Sequence, residues 1–349
     1  MSNSSFHHSA IDYAYDVTPE AGQSIEILPG IRWLRMPLPF MLGHINLWLL
    51  RDGDSWTIVD TGLNDRATRA LWRGVVNDQM SGGPVGRVIA THMHPDHVGC
   101  AGWLTDQHQV PLWMSREEYL MCRVLLSDNS QPADVASVQF YMAAGFPEQA
   151  LERYQNTLGS YARMVSTMPR SFLRLQDEMT VVIGAYHWRV IVGRGHSVAH
   201  ACLYCEQLGV MISGDQILPT ISSNVSVYPT EPDADPLAEW LGSLRMLRNR
   251  LPADTLILPS HGRPFRGVHD RLDALVREHL DGLDALRQLC RQPTRAIDTF
   301  ALLFKSEITT GNVIMAAGEA IAHLNFLRKT GEMGSWLDAN RIRWYRLNP

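Results

Sequence analysis

The chain has 349 residues, 45% of them hydrophobic and 19% charged, which suits one large folded domain or a large one with a small companion. A formal net charge of -5, with scattered arginines and only Lys305 and Lys329 as lysines, offers no support for nucleic acid as the main partner. Five cysteines form no disulfide framework at this length, and no stretch approaches a membrane span, so a cytoplasmic protein that keeps off membranes is expected.

Residues 1–24 are polar and acidic, without the apolar core of a signal peptide, and read as a flexible start that includes His7 and His8. From Ile25 to Asp60 the pattern is strand-like. Ile45, Leu47 and Leu49 alternate, Asp52-Gly53-Asp54 turns the chain, and the next strand ends in Asp60-Thr61-Gly62. A helix over 64–75 precedes a strand over 85–90, which runs into Thr91-His92-Met93-His94-Pro95-Asp96-His97-Val98-Gly99. A helix over 98–106 and a strand over 110–114 follow. Residues 116–168 then predict three helices, 116–127, 132–143 and 147–167, rich in Met and Tyr. This insertion reads either as a helical packing unit or as a cap that shapes an apolar pocket.

Strands return at 179–183, 188–192, 201–205 and 210–215, and again at 255–258, beyond a helix near 235–249. Three of these runs end beside a glycine and a polar residue: Gly195-His196-Ser197, Gly214-Asp215 and Ser260-His261-Gly262. From residue 269 the pattern is mainly helical. Leu272, Leu275, Val276, Leu280, Leu283, Leu286 and Leu289 make an apolar stripe, helices near 296–304 and 311–331 follow, and the chain ends in a hairpin. This outlines a small winged-helix-like domain over 269–349.

His92, His94, Asp96 and His97 place three imidazoles and a carboxylate within six positions, and these donors suit zinc as well as iron or manganese. His92, His94 and His196 can hold one ion. Asp96, His97 and His261 can hold a second, with Asp215 bridging the two. Asp60 is expected to orient a histidine or the turn backbone, although capping a strand end would equally explain it. His200 is either a further supporting residue or an ordinary strand-start histidine. His279 reads as a satisfied interface histidine, Cys100, Cys202 and Cys205 as packed thiols, and His44 and Asn46 as the rim of a cleft. Asn224 and Tyr228, in the loop after Asp215, are the candidates for substrate contact.

These motifs, in this order, resemble the metallo-β-lactamase superfamily over roughly residues 25–265, and the C-terminal part is similar to the winged-helix extension of lactamase-like proteins related to glyoxalase II. The resemblance implies an α+β fold: a four-layered αββα sandwich spanning 25–268 with the helical insertion 116–168, followed by the C-terminal domain. It also implies a binuclear, metal-dependent hydrolase with two divalent ions, Zn2+ first. The secreted β-lactamases of the superfamily typically carry Cys or Ser where Asp215 stands. Lactonases for acyl-homoserine lactones place a tyrosine soon after that aspartate, where this chain has Gln216-Ile217-Leu218-Pro219.

The expected reaction is attack of metal-activated hydroxide on a small acyl substrate, a thioester or lactone, with Asp96 as the catalytic carboxylate that moves a proton. The alternatives are a phosphodiesterase or ribonuclease, a single-iron persulfide dioxygenase, and a metal-stabilised non-enzymatic protein that binds DNA or a partner. A homodimer is compatible with all of them.

Overall fold

The computed structural model describes residues 11–80, 83–128, 135–157, 160–309 and 311–349; His7 and His8, and part of the expected turn at 128–132, lie outside them. The strands are β1 (Asp12–Tyr13), β2 (Ser24–Leu28), β3 (Ile31–Pro37), β4 (His44–Asp52), β5 (Ser55–Val59), β6 (Val85–Ile89), β7 (Leu112–Ser115) and β8 (Leu173–Leu175). They continue with β9 (Thr180–Ile183), β10 (Tyr186–Gly193), β11 (His200–Cys205), β12 (Val210–Gly214), β13 (Leu256–Pro259), β14 (Phe265–Arg266), β15 (Met333–Leu337) and β16 (Arg343–Leu347). One sheet runs β2-β3-β4-β5-β6-β7-β8, and the other β1-β14-β13-β12-β11-β10-β9. In the first sheet the pairs from β2 to β5 are antiparallel and those from β5 to β8 parallel. The parallel half turns several strand C-termini towards one edge, where a site can be assembled from loops.

Strand alternation sorts the side chains into layers. Trp48 and Leu50 of β4 face the second sheet and pack with Trp33, Val190, Leu203, Ile212 and Leu258. Their neighbours Ile45, Leu47 and Leu49 point the other way, onto Trp72, Val98 and Leu104 of the helical layer. The outer face of the second sheet offers Ile191, Cys202, Met211 and Ile257 to Trp240, Leu272, Leu283 and Leu324. The result is an αββα sandwich with a separate C-terminal helical unit.

That unit comprises the long helices Val268–Leu289 and Val313–Lys329 and the β15–β16 hairpin, which is tied back by the bridge Thr294–Tyr345. The apolar stripe of the first helix is narrower than the sequence suggests. Leu272, Leu275, Leu283 and Leu286 are buried, but Leu280 and Leu289 are 38% and 37% exposed, because His279 takes the inward position between Leu275 and Leu283. In the insertion, Arg116–Ser127 and Val135–Ala143 are helical, and among the described residues of 147–167 so are Glu148–Thr157 and Ser160–Met164. Tyr141 and Phe146 pack into the C-terminal side and Tyr119 and Cys122 into the opposite helical layer, so the insertion spans both outer cores. Within the stretch read as a flexible start, Asp12–Tyr13 pairs with β14. Among the described residues, no helix is long and apolar enough to cross a membrane.

Candidate metal centre

The centre is built where β5 and β6 end. Asp60 leaves β5 with φ of 61°, a left-handed conformation uncommon outside glycine, and is buried. Its Oδ1 accepts the Thr91 N–H at 2.8 Å and its Oδ2 accepts the Thr91 hydroxyl at 2.9 Å, which locks the first residue of the histidine turn. Pro95 then opens the short helical turn Pro95–Val98, where a fixed φ and a missing N–H suit the first position. The Thr61 N–H and hydroxyl both donate to the His97 carbonyl at 2.8 Å, so the turn is tied down at each end.

Four of the histidine rings are oriented by a hydrogen bond from Nδ1. His97 Nδ1–H donates to Asp60 Oδ2 at 2.8 Å, His196 Nδ1–H to the Asn224 carbonyl at 2.7 Å and His261 Nδ1–H to the His44 carbonyl at 2.8 Å. The Thr91 hydroxyl, already spent as a donor to Asp60, accepts from His92 Nδ1–H at 3.0 Å. All four rings therefore turn Nε2 inward, the nitrogen that a metal ion can take once its proton is gone.

The inward atoms fall into two adjoining sets. His92 Nε2 lies 2.8 Å from His94 Nδ1, and that atom lies 3.0 Å from His196 Nε2. The donor atoms of His92, His94, His196 and Asp215 are all within 4.8 Å of one another, as are those of Asp96, His97 and His261. Asp215 faces both: Oδ2 is 3.5 Å from His196 Nε2, while Oδ1 is 3.4 Å from His97 Nε2 and 3.5 Å from His261 Nε2. Asp96 Oδ2 is 3.3 Å from His261 Nε2 and 3.7 Å from His97 Nε2.

Two divalent cations fit this donor set. His97 Nε2, His261 Nε2 and Asp215 Oδ1 are buried without a hydrogen-bond partner, an arrangement that is unfavourable unless a cation engages them. The electrostatics agree. Burial, with its histidine neighbours, holds His92 far below its ordinary value and His94 near about 3, so both are neutral. Burial opposes charge on His97 too, but the carboxylates of Asp215, Asp96 and Asp60 outweigh it and push that ring well above its ordinary value. His261 is raised against its own burial by Asp215 and Asp96, and burial of Asp215 is overcome by His97 and His261, which drive its carboxyl far down. The second set thus concentrates negative charge, which protons now balance and metal ions can balance instead.

A family model described as the metallo-beta-lactamase superfamily matches residues 41–261, well over half of the chain. The chain belongs to the metallo-beta-lactamase superfamily. A second model, for the metallo-beta-lactamase-like C-terminal domain, matches residues 283–348. A beta-lactamase domain protein from Burkholderia ambifaria, known as a crystal structure, is 40% identical, with a TM-score of 0.90 over 97% of this chain and 98% of its own. "Probable metallo-hydrolase YqjP" of Bacillus subtilis is 26% identical over 88% of this chain and 95% of its own length. An atrochrysone carboxyl ACP thioesterase of Aspergillus fumigatus is 22% identical over 74% of this chain and 45% of its own length. With two adjoining metal-binding clusters on this fold, the protein is a metal-dependent hydrolase with a binuclear centre.

Against this superfamily scaffold the remaining candidates find their places. His200 lies beneath Asp215, whose N–H donates to His200 Nε2 at 3.1 Å. His44 and Asn46 brace the His261 turn: Asn46 Nδ2 donates to the carbonyls of Pro259 and Gly262, and His44 Nε2 accepts the Gly262 N–H. The Asn224 side chain donates to Glu319 Oε2 at 2.7 Å, and Tyr228 is 37% exposed. Cys100 is buried with its thiol on the Leu63 carbonyl, and Cys202 and Cys205 are buried and unbridged.

Glu118 was not among the sequence candidates. It is fully buried in the first turn of helix Arg116–Ser127, where its Oε2 accepts the Met93 N–H at 2.9 Å and its Oε1 the Ala199 N–H at 2.6 Å. One carboxylate thereby clamps the turn carrying His92 and His94 to the loop carrying His196. In sequence, Ser115 and Glu118 have the S-x-x-E spacing of a capping box, which explains the glutamate as part of the helix start and hides this use.

Proposed function

We propose that this enzyme hydrolyses a small acyl substrate, a thioester or a lactone. His92, His94 and His196 are assigned to one ion, Asp96, His97 and His261 to the other, and Asp215 to both, with zinc as the first candidate metal and iron or manganese as alternatives. The observation that carries this reading is Asp215, whose two oxygens face opposite histidine sets at 3.4–3.5 Å. When bound, such a pair of ions supplies hydroxide near neutral pH and polarises a carbonyl.

The protein's own residues contribute orientation and a proton path. Asp60, Thr91 and the Asn224 and His44 carbonyls fix the rings, so little reorganisation is needed at the moment of reaction. Asp96, whose side chain is 15% exposed, is the carboxylate that can meet solvent and substrate while facing His261 and His97. We assign to it the transfer of a proton towards the leaving group. A thiolate or alkoxide leaves with less help than an amine, which favours a thioester or lactone over an amide. The apolar helical insertion suits an acyl chain: Tyr161 donates to the Met93 carbonyl at 2.6 Å, which puts this insertion directly against the histidine turn. The thioesterase among the relatives supports the thioester form.

The test is a panel of an acyl thioester, a lactone, a cephalosporin analogue and a short RNA, run on protein loaded with zinc, manganese or iron. The expected result is hydrolysis of the thioester or lactone, lost with the metals on chelation and lost in Asp215→Ala and His94→Ala. Cleavage of RNA alone would overturn the carbonyl reading, and so would one iron per chain accompanied by oxygen uptake.

A further inference from the structure

We infer that the C-terminal unit completes the metal centre: Glu319, on helix Val313–Lys329, is a positioning residue that holds Asn224 and, through the Asn224 main-chain carbonyl, orients His196. The inference rests on the assignment of His196 as a metal ligand. His196 sits in the sandwich, yet its Nδ1–H donates to a carbonyl in a loop with no strand or helix of its own. That carbonyl is only as well placed as the loop.

The loop is held by the C-terminal unit. Asn224 Nδ2 donates to Glu319 Oε2 at 2.7 Å, and Ser226 Oγ donates to Asn224 Oδ1 at 2.5 Å. At the neighbouring helix residue, the Val227 N–H donates to the Gly318 carbonyl at 3.0 Å. A Cβ at Gly318 would stand 2.7 Å from Ser226 Cβ and 2.9 Å from the Val227 carbonyl oxygen, so the loop lies directly on bare helix backbone. The other end is tied by a directional relay. His323 Nδ1–H donates to the Glu319 carbonyl at 2.9 Å, so its Nε2 accepts from His279 Nδ1–H at 3.2 Å. His279 Nε2 is then left to accept the Ser222 hydroxyl at 3.2 Å. Ser222, Asn224 and Val227 are thereby each bonded to one of the two long C-terminal helices.

Glu319 has no ion pair among the described residues, and burial pushes its carboxyl up to about 7. A carboxyl group so placed, without a cation, has the Asn224 amide as its hydrogen-bond partner. Partners of metal-bound histidines that fix the ring typically matter by about 10- to 100-fold in metal affinity.

The test uses full-length protein loaded with Co2+, read by its visible ligand-field spectrum and by release of the ion to a competing chelator. Glu319→Ala is expected to weaken retention of one of the two ions by about 10- to 100-fold and to alter the spectrum. Glu319→Gln, which keeps an acceptor for Asn224, is expected to restore both. Asn224→Ala should reproduce the alanine phenotype, and the double replacement should be no worse than either single one, the mark of a shared path. Thermal melting of each variant separates this from unfolding; should Glu319→Ala not fold, Glu319→Gln and Asn224→Ala carry the test. Native retention and spectrum in Glu319→Ala or Asn224→Ala, or a glutamine variant as damaged as the alanine one, would overturn the inference. An unchanged spectrum in His196→Ala would refute the ligand assignment beneath it, whereas absence of acyl hydrolysis would bear only on the proposed substrate.

Discussion

Replacing Glu118 by alanine strips the acceptor from two buried amides at once, those of Met93 and Ala199. Hydrogen bonds to a charged acceptor are worth about 1.5–3 kcal/mol each, so the gross loss is about 3–6 kcal/mol. Removing the carboxylate also relieves its own burial, which already raises its pKa, and a net loss of about 2–4 kcal/mol remains. Against a total stability of about 5–15 kcal/mol this is large. With a urea slope near about 3 kcal/mol per molar, the unfolding midpoint of metal-free protein should fall by about 1 M. Glu118→Gln keeps one acceptor oxygen and should lose about half as much. Because the clamp joins the His92–His94 turn to the His196 loop, both variants should also retain less zinc after dialysis, measured by elemental analysis. An unchanged midpoint together with full zinc content in Glu118→Ala would refute this account of the clamp.

Gly214 has φ of 52°, and a Cβ there would lie 2.4 Å from the His200 ring that supports the Asp215 amide. Gly214→Ala should therefore lose about 1–3 kcal/mol and part of its metal, and a variant that melts like the native protein with both ions bound would contradict this. Glu319 gives a pH dependence of defined sign. Below about pH 4.5 it is protonated in folded and unfolded chains alike. Between 4.5 and about 7 only the unfolded chain ionises it, so the folded state binds more protons and its stability falls as pH rises. The full shift corresponds to about 3 kcal/mol, reduced to about 1–2 kcal/mol by partial exposure. Glu319→Gln should flatten this segment of a stability–pH curve, and an unaltered slope would refute the assignment.

Much of the fold was legible because the β-strand period is short and local. Ile45, Leu47 and Leu49 alternate in sequence and face the same helical layer in space. The donor cluster was legible for a similar reason: His92, His94, Asp96 and His97 are neighbours, and few structural roles need so many imidazoles together. Glu118 escaped because the amides it accepts from, those of Met93 and Ala199, lie 25 and 81 residues away along the chain and no local spacing reveals them. The stripe on helix Val268–Leu289 was overread at Leu280 and Leu289 because a polar residue, His279, fills a buried position through a partner 44 residues away.

The sequence by itself determined which donor atoms exist, that their chemistry suits two divalent cations, and that the scaffold alternates sheets and helices. Only the tertiary structure decided which nitrogen of each ring points inward. That choice is made by the Asn224 carbonyl for His196, 28 residues away, and by the His44 carbonyl for His261, 217 residues away. A histidine's tautomer follows the hydrogen bond made by its other nitrogen, and such a partner is set by packing between layers rather than by spacing along the chain. The same packing sets Asp215 between the two histidine sets and brings Glu319 of the C-terminal unit onto the loop that holds His196.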